Sequence, residues 1–208
     1  KKMSPTVCNV PYSGMLIPEG FKSDFAIDEF EVRDEVKYMA DNYTDELYGE
    51  LTYISSSIIS TISRVVVDIE RFEKDEDEPM SKVGMSALYT KTSEGKILRK
   101  INEENRNKLI SLYKEYHDSF KDLVDESLRN NNITVIVDCH SFPSLPRIYE
   151  PDSSSNRPDI CIGVDDYHTP KELAATLKNN FESIGYSVKI NSPFSGSIVP
   201  IEYYNKDK

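Results

Sequence analysis

The sequence predicts an α/β protein with a mixed, largely parallel sheet that is flanked by helices on both faces. Two observations support this class. Short β-branched segments alternate with longer amphipathic segments along the 208 residues, which is typical of strands joined by helices. Residues 133–139 are apolar on both faces, as expected for a central strand that is covered on both sides.

The first elements are a strand over residues 6–10 and a helix that begins at Asp28. Asp28 and Glu31 fit a capping box, and an apolar stripe at helical spacing follows it: Val32, Val36, Met39, Ala40 and Tyr43. Residues 51–68 are rich in β-branched side chains and predict one or two strands, of which 64–68 is the clearest. Residues 73–100 are polar and predict a long loop, and loops of this length are usually functional or disordered.

The strongest predicted helix covers residues 102–130 and is followed directly by the strand at 133–139. Its apolar residues recur at helical spacing: Leu109, Leu112, Tyr113, Tyr116, Phe120, Leu123, Val124 and Leu128. Further strands are predicted at 159–163 and 187–190. Between them, Thr169 and Glu172 form a capping-box pattern that predicts a helix ending before Gly185.

Composition limits the possible partners and predicts one domain over residues 1–208. The net charge of −11 disfavours nucleic acid and anionic membranes, since both require clustered basic residues. Acidic residues concentrate over residues 70–78, which predicts a solvated loop. The three cysteines, Cys8, Cys139 and Cys161, show no C-x-x-C spacing and favour reduced thiols in a cytoplasmic protein.

The candidate chemistry begins at the end of the central strand, where Asp138 and His140 follow an apolar run. Ligands of parallel sheets bind at the carboxyl ends of strands, and side chains two residues apart point to the same side. His140 would then be a metal ligand and Asp138 a carboxylate that orients it. The alternative is a histidine that only hydrogen-bonds at a strand end.

Five further side chains are candidates from their positions alone. Ser13 lies in a turn after the first strand, where backbone N–H groups could face the crevice or simply lead the chain away. Asp41 follows the first helix and matters only if the chain turns inward there. His117 flanks the stripe of the long helix, so it belongs either to the core rim or to the site. Arg64 and Arg71 are natural partners of a substrate carboxylate, or else surface arginines.

Stretches of the chain, in order from about Val10 to the end, resemble the N-formylglutamate amidohydrolase family. The resemblance implies a carboxypeptidase-like α/β fold and a zinc-dependent enzyme that cleaves N-formyl-glutamate to formate and glutamate. The matching stretches are VPYSGMLIPEGF, MADNYTDELY, SRVVVDIERFEKDEDEPMSKVGMSALYTKTSEGKILR, YKEYHDSF, VDCHSFPS, RPDICIG and NSPFSGSIVP.

Family motifs carry over to several of the same residues. His140 matches the histidine of the D-x-H-S motif, a metal ligand, and Asp41 matches the aspartate of the T-D-W segment, a carboxylate ligand. Asn42 replaces the usual tryptophan of that segment. His117 matches the histidine of the Y-x-P-Y-H motif and is expected to be catalytic. Arg71 matches the arginine of the D-x-x-R segment and would hold the substrate carboxylate. We expect Arg64, Ser13 and Asn191 to bind substrate as well.

Two further departures from the family pattern bear on the chemistry. Tyr12 replaces the histidine of the P-H-S motif, a further expected metal ligand, and a phenol with a pKa of ~10 is a poor zinc ligand. Two ligands would then remain, where catalytic zinc usually has three. The family's general base, a glutamate on a later strand, is expected beyond Lys208.

The sequence therefore predicts a zinc-dependent hydrolase of a small N-acyl amino acid, of the N-formyl-L-glutamate type. The alternative is a non-catalytic homologue with an eroded metal site that acts as a binding module. The sequence leaves the oligomeric state open.

Overall fold

A computed structural model describes residues 4–150 and 152–206. The chain forms two compact units, of which the first ends at Phe142 and the second begins at Pro143. A single domain over residues 1–208 stays a prediction, because two compact units can belong to one domain.

The first unit is built on three parallel strands in the order β2-β1-β3. These are β1 (Thr6–Val10), β2 (Ser56–Ile59) and β3 (Val135–Asp138). Cys8 of the central strand pairs with Ser57 on one side and Val137 on the other. This parallel sheet, together with its flanking helices, confirms the predicted α/β class.

Helices and short 3-10 turns connect the strands of the first unit. The helices are α1 (Glu29–Met39), α2 (Thr44–Leu47), α3 (Gly49–Ile54) and α4 (Glu103–Asn131), and the 3-10 turns are Glu19–Asp24 and Pro79–Val83. Asp28 and Glu31 form the predicted capping box of α1. Helix α4 packs on β1 and β2 and contributes Leu109 to a core cluster with Tyr12, Val66 and Leu88.

Several details of the predicted elements are wrong in the first unit. Residues 51–54, predicted as strand, belong to α3. The strand predicted to be central, 133–139, is β3, which lies at an edge of the described sheet beside the central strand β1. Residues 64–68 form a turn rather than a strand, in which Val66 N–H donates to the Ser63 carbonyl. The three valines are buried, as the pattern requires. The Val66 carbonyl, however, accepts its hydrogen bond from the side chain of buried Arg99, at 2.6 Å. The apolar stripe also stops before Tyr43, which is 74% exposed because α1 has already ended.

The second unit contains β4 (Ile160–Ile162) and β5 (Val188–Ile190), which pair in parallel, and α5 (Lys171–Ser183). Gly185 follows α5 with a φ of 99°, as predicted for a residue just past a helix. The predicted capping box is wrong, since the N-cap is Pro170 and carries no side-chain cap bond. Thr169 instead accepts the N–H of Asp165 through Oγ1.

In both described stretches of the chain, none of the helices has the length and apolar character required to cross a membrane. All three cysteines are free thiols, with Cys8 and Cys139 buried and Cys161 partly buried.

Candidate metal centre

His140 lies two residues beyond the end of β3, and both of its ring nitrogens face carboxylates. Nδ1 lies 2.8 Å from Oδ2 of Asp41. On the other side of the ring, Nε2 lies 3.2 Å from Oε2 of Glu70 and 3.3 Å from Oδ2 of Asp138. The imidazole is therefore held between one carboxylate behind it and two in front.

Glu70, Asp138 and His140 suit a divalent metal ion. Their possible ligand atoms all lie within 4.8 Å of one another. Burial alone would lower the pKa of His140, but the negative charges of Glu70 and Asp138 raise it well above its usual value. The space between these groups thus favours a positive charge, and two carboxylate oxygens with one imidazole nitrogen are donors that zinc or manganese accepts.

The structure places the two predicted aspartates in exchanged positions. Asp138, which was expected to orient the histidine, lies with Glu70 on the Nε2 side of the ring, where the three residues are close enough to hold a metal ion. Asp41, expected to be a ligand, faces Nδ1 on the opposite side of the ring. The chain does turn inward at Asp41, where its backbone N–H donates to the carbonyl of Tyr12 at 3.0 Å. Asp41 thus contacts the ring nitrogen opposite Glu70 and Asp138, a contact of the kind that orients metal-binding histidines, and the predicted roles of the two aspartates stay predictions.

Asn9 connects the two carboxylates of the centre. Its Nδ2 lies 2.9 Å from Oε1 of Glu70 and 2.8 Å from Oδ1 of Asp138. The hydroxyl of Tyr116, on α4, donates to Oδ1 of Asn9 at 2.6 Å. Both the amide nitrogen and the amide oxygen of this buried side chain therefore have hydrogen-bond partners.

The loop that carries Glu70 is fixed at several points. The backbone N–H of Glu70 donates to Oδ1 of Asp68 at 3.2 Å. Two side chains of α4 also bond this loop. Nε2 of His117 donates to the Ile69 carbonyl at 2.7 Å, and the Tyr113 hydroxyl donates to the Arg71 carbonyl. An Nε2 that donates to a carbonyl must carry its hydrogen and cannot take a proton from a substrate. This contact favours a positioning role for His117, and its predicted catalytic role stays a prediction.

Tyr12 is tied to a separate buried cluster around Asp68. Its hydroxyl donates to Oδ1 of Asp68 at 2.5 Å, and Tyr89 donates to Oδ2 at the same distance. The Arg64 guanidinium lies 3.5 Å from the centroid of the Tyr12 ring and donates to Asp68 Oδ2 through both Nε and Nη2. Burial raises the pKa of Tyr12 well above its usual value, so the phenol keeps its proton. Tyr12 therefore lies close to His140, at 5.4 Å between ring centroids, while its oxygen is bound to Asp68.

The predicted substrate-binding residues are in different situations. Arg64 is only 10% exposed and is occupied by Asp68, whereas the Arg71 side chain is 26% exposed. Arg71 lies 3.6 Å from Asp68 and 3.7 Å from Glu78, both beyond usual hydrogen-bond length. Ser13 is partly buried in the segment after β1. Asn191 is exposed in the second unit, where its Oδ1 accepts the N–H of Val164.

Sequence reasoning missed Glu70 and Asn9. Glu70 was included in the predicted solvated loop over residues 70–78, yet its side chain is only 14% exposed. Glu78 of the same loop is buried and accepts the N–H groups of Phe72 and Met80. The signal for Asn9 was available, since it is a polar residue inside a buried strand and must find partners there.

Comparisons with known proteins concern the family and the fold of the chain. The sequence model of the N-formylglutamate amidohydrolase family matches residues 4–208. The crystal structure of N-formylglutamate amidohydrolase from Ralstonia eutropha JMP134 is similar, with a TM-score of 0.79 and 19% identity over 95% of this chain and 75% of that one. A gene product of Agrobacterium tumefaciens is similar, with a TM-score of 0.63 and 17% identity over 92% of this chain and 70% of that one. No curated protein sequence matches this chain. At these identities, the solved structures indicate the fold alone.

Proposed function

The chain belongs to the N-formylglutamate amidohydrolase family, and we propose that it hydrolyses N-formyl-L-glutamate with the help of a bound zinc ion. The observation that carries the proposal is the meeting of Glu70, Asp138 and His140 Nε2 within 4.8 Å, with Asp41 on the opposite nitrogen of the same imidazole. In the reaction, water adds across the formyl C–N bond and releases formate and L-glutamate.

Glu70, Asp138 and His140 would hold the ion. When bound, zinc supplies a Lewis acid that polarises the formyl carbonyl and lowers the pKa of water to ~7. The Asp41 carboxylate keeps the hydrogen of His140 on Nδ1, so that Nε2 would be the nitrogen that holds the ion.

Arg71 is the residue that would bind the substrate carboxylate. Of the two candidate arginines, it is the one with substantial exposure, and its neighbouring carboxylates lie beyond hydrogen-bond length. A guanidinium binds a carboxylate through two parallel hydrogen bonds, which fixes the orientation of the substrate as well as its charge. Arg64 would act indirectly, by neutralising buried Asp68 beneath the loop that carries Arg71.

The rival function is a binding module without catalysis. It was suggested by Tyr12, which replaces an expected ligand. Glu70 weakens that argument, since it brings a third ligand residue to the group around His140. Three protein ligands are the usual number at catalytic zinc sites.

The experiment measures formate released from N-formyl-L-glutamate by chelator-stripped protein before and after addition of zinc. We expect activity only after zinc is added, and we expect His140→Ala to abolish it. His168→Ala, in the second unit, is the matched control and should retain it. N-formyl-L-norleucine, which lacks the side-chain carboxylate, should react more slowly. Tight binding of N-formyl-L-glutamate without formate release, in zinc-loaded protein, would favour the binding module instead.

A further inference from the structure

We propose that Asn9 positions both carboxylates of the metal centre, and that the Tyr116 hydroxyl fixes the Asn9 amide in the orientation this requires. The inference rests on the proposed function, because it gives these two residues a purpose in holding the ion.

Asn9 hydrogen-bonds one oxygen of each carboxylate and leaves the other oxygen of each one available to a metal ion. It is fully buried in the central strand, and its amide nitrogen lies 2.9 Å from Oε1 of Glu70 and 2.8 Å from Oδ1 of Asp138. An amide nitrogen carries two hydrogens, so each carboxylate receives one of them. The opposite oxygens, Oε2 and Oδ2, are the ones that face Nε2 of His140. A single side chain thus separates the oxygens held by the protein from those available to a metal ion.

Like charges give this contact a physical purpose. The Glu70 and Asp138 carboxylates lie 3.2 Å and 3.3 Å from the same nitrogen of His140, so their like charges repel each other at short range. Two hydrogen bonds from one buried amide offset part of that repulsion and prevent the side chains from turning apart. The carboxylates then converge on the same space before a cation arrives.

Tyr116 determines which way the Asn9 amide points. An amide can rotate by half a turn and exchange its oxygen for its nitrogen, which here would place oxygen against two carboxylates. The Tyr116 hydroxyl lies 2.6 Å from Oδ1 of Asn9 and donates to it. Burial is the main cause that raises the pKa of Tyr116, with Glu70 as a further one, so the hydroxyl keeps the hydrogen that it donates. Helix α4 therefore contacts Asn9 through the Tyr116 hydroxyl.

The test compares zinc affinity of chelator-stripped wild type, Tyr116→Phe and Asn9→Ala, measured by competition with a chromophoric chelator. Loss of groups that orient ligands typically weakens metal binding roughly 10-fold to 100-fold. We expect Tyr116→Phe to fall in that range and Asn9→Ala to lose at least as much. The matched control is Ser127→Ala, which removes a buried hydroxyl from the same helix that donates to the Pro5 carbonyl. It should bind zinc as wild type does.

A second readout separates positioning from general destabilisation. In cobalt-loaded protein, visible absorption bands report the number and geometry of the ligands. We expect altered bands in folded Tyr116→Phe and unaltered bands in Ser127→Ala. If Asn9→Ala fails to fold, the zinc affinity and cobalt spectrum of Tyr116→Phe test the inference by themselves, because the phenylalanine ring still fills the space of the tyrosine ring.

The outcomes distinguish this inference from the proposed function. Wild type that binds no zinc would overturn the proposed function and this inference with it. Wild type that binds zinc, with unchanged affinity and unchanged cobalt bands in Tyr116→Phe, would overturn the inference alone.

Discussion

Oδ2 of Asp41 lies 2.8 Å from Nδ1 of His140, although 99 positions separate the two residues in sequence. This contact sets the direction of the imidazole, because a ring whose Nδ1 donates to Asp41 must present Nε2 to Glu70 and Asp138. The contact between Asp41 and His140 therefore determines which ring nitrogen faces the other two carboxylates.

Replacing Asp41 with asparagine should weaken zinc binding roughly 10-fold, within the range typical for groups that orient ligands. An amide oxygen still accepts from Nδ1 but carries no charge to make the imidazole more basic. Calorimetric titration of zinc into chelator-stripped protein measures the change. Exposed Asp45→Asn, four residues further along, is the matched control and should bind as wild type does. Complete loss of binding in Asp41→Asn would return Asp41 to the ligand position that the sequence predicted.

Tyr12→Phe should lower the free energy of unfolding while leaving zinc affinity unchanged. The variant removes one hydrogen bond to the buried Asp68 carboxylate, and hydrogen bonds to charged groups contribute about 1.5–3 kcal/mol. Urea denaturation measures the stability, and Tyr89→Phe should lose a similar amount because it removes an equivalent bond. Weaker zinc binding with unchanged stability would place the phenol in the metal centre.

Arg71→Met should change substrate binding, whereas Arg64→Met should change the stability of the fold. Arg71→Met should raise KM for N-formyl-L-glutamate tenfold or more, since a charged hydrogen bond is worth about 1.5–3 kcal/mol and each 1.4 kcal/mol is about tenfold. Arg64→Met should instead destabilise the fold by about 3–5 kcal/mol, because it breaks a buried ion pair with Asp68. Steady-state kinetics and thermal unfolding of both variants measure these effects. An unchanged KM in Arg71→Met would exclude it as the carboxylate-binding residue.

Gly14→Ala should destabilise the protein because the backbone leaves no space there. An added Cβ would lie 2.4 Å from the Thr61 carbonyl carbon and 2.5 Å from the Ser60 oxygen. Overpacking of this kind typically costs about 1–3 kcal/mol. Gly20→Ala is the control, since nothing lies within 4 Å of its Cβ position. Equal unfolding midpoints for the two variants would contradict the close approach.

Periodic segments allowed much of the fold to be predicted from the sequence. Helix α4 carries apolar residues at helical spacing, and β1 is a short run whose last four residues are all buried, so both were identified from the sequence. The turn at 64–68 was mistaken for a strand because its three valines are buried by tertiary contacts, with Arg99 bonding the backbone from 33 positions away. Local pattern carries no information about such a partner.

The ends of elements supplied the candidate site residues. Asp138 ends β3, His140 lies two residues beyond it, and Asp41 follows α1. Glu70 lies among surface acids in the sequence, and tertiary contacts of its loop, such as those with His117 and Asp68, bring it to the centre. The exchange of Asp41 and Asp138 depended on which ring nitrogen each one faces, and sequence spacing does not determine that.

Glu70, Asp138 and His140 are proposed to hold a metal ion. Anomalous scattering at the zinc absorption edge, from crystals of the zinc-loaded protein, tests it most directly. We expect one strong peak bounded by Oε2 of Glu70, Oδ2 of Asp138 and Nε2 of His140, with Asp41 still on Nδ1. A peak held by other residues, or none at these three, would contradict the account.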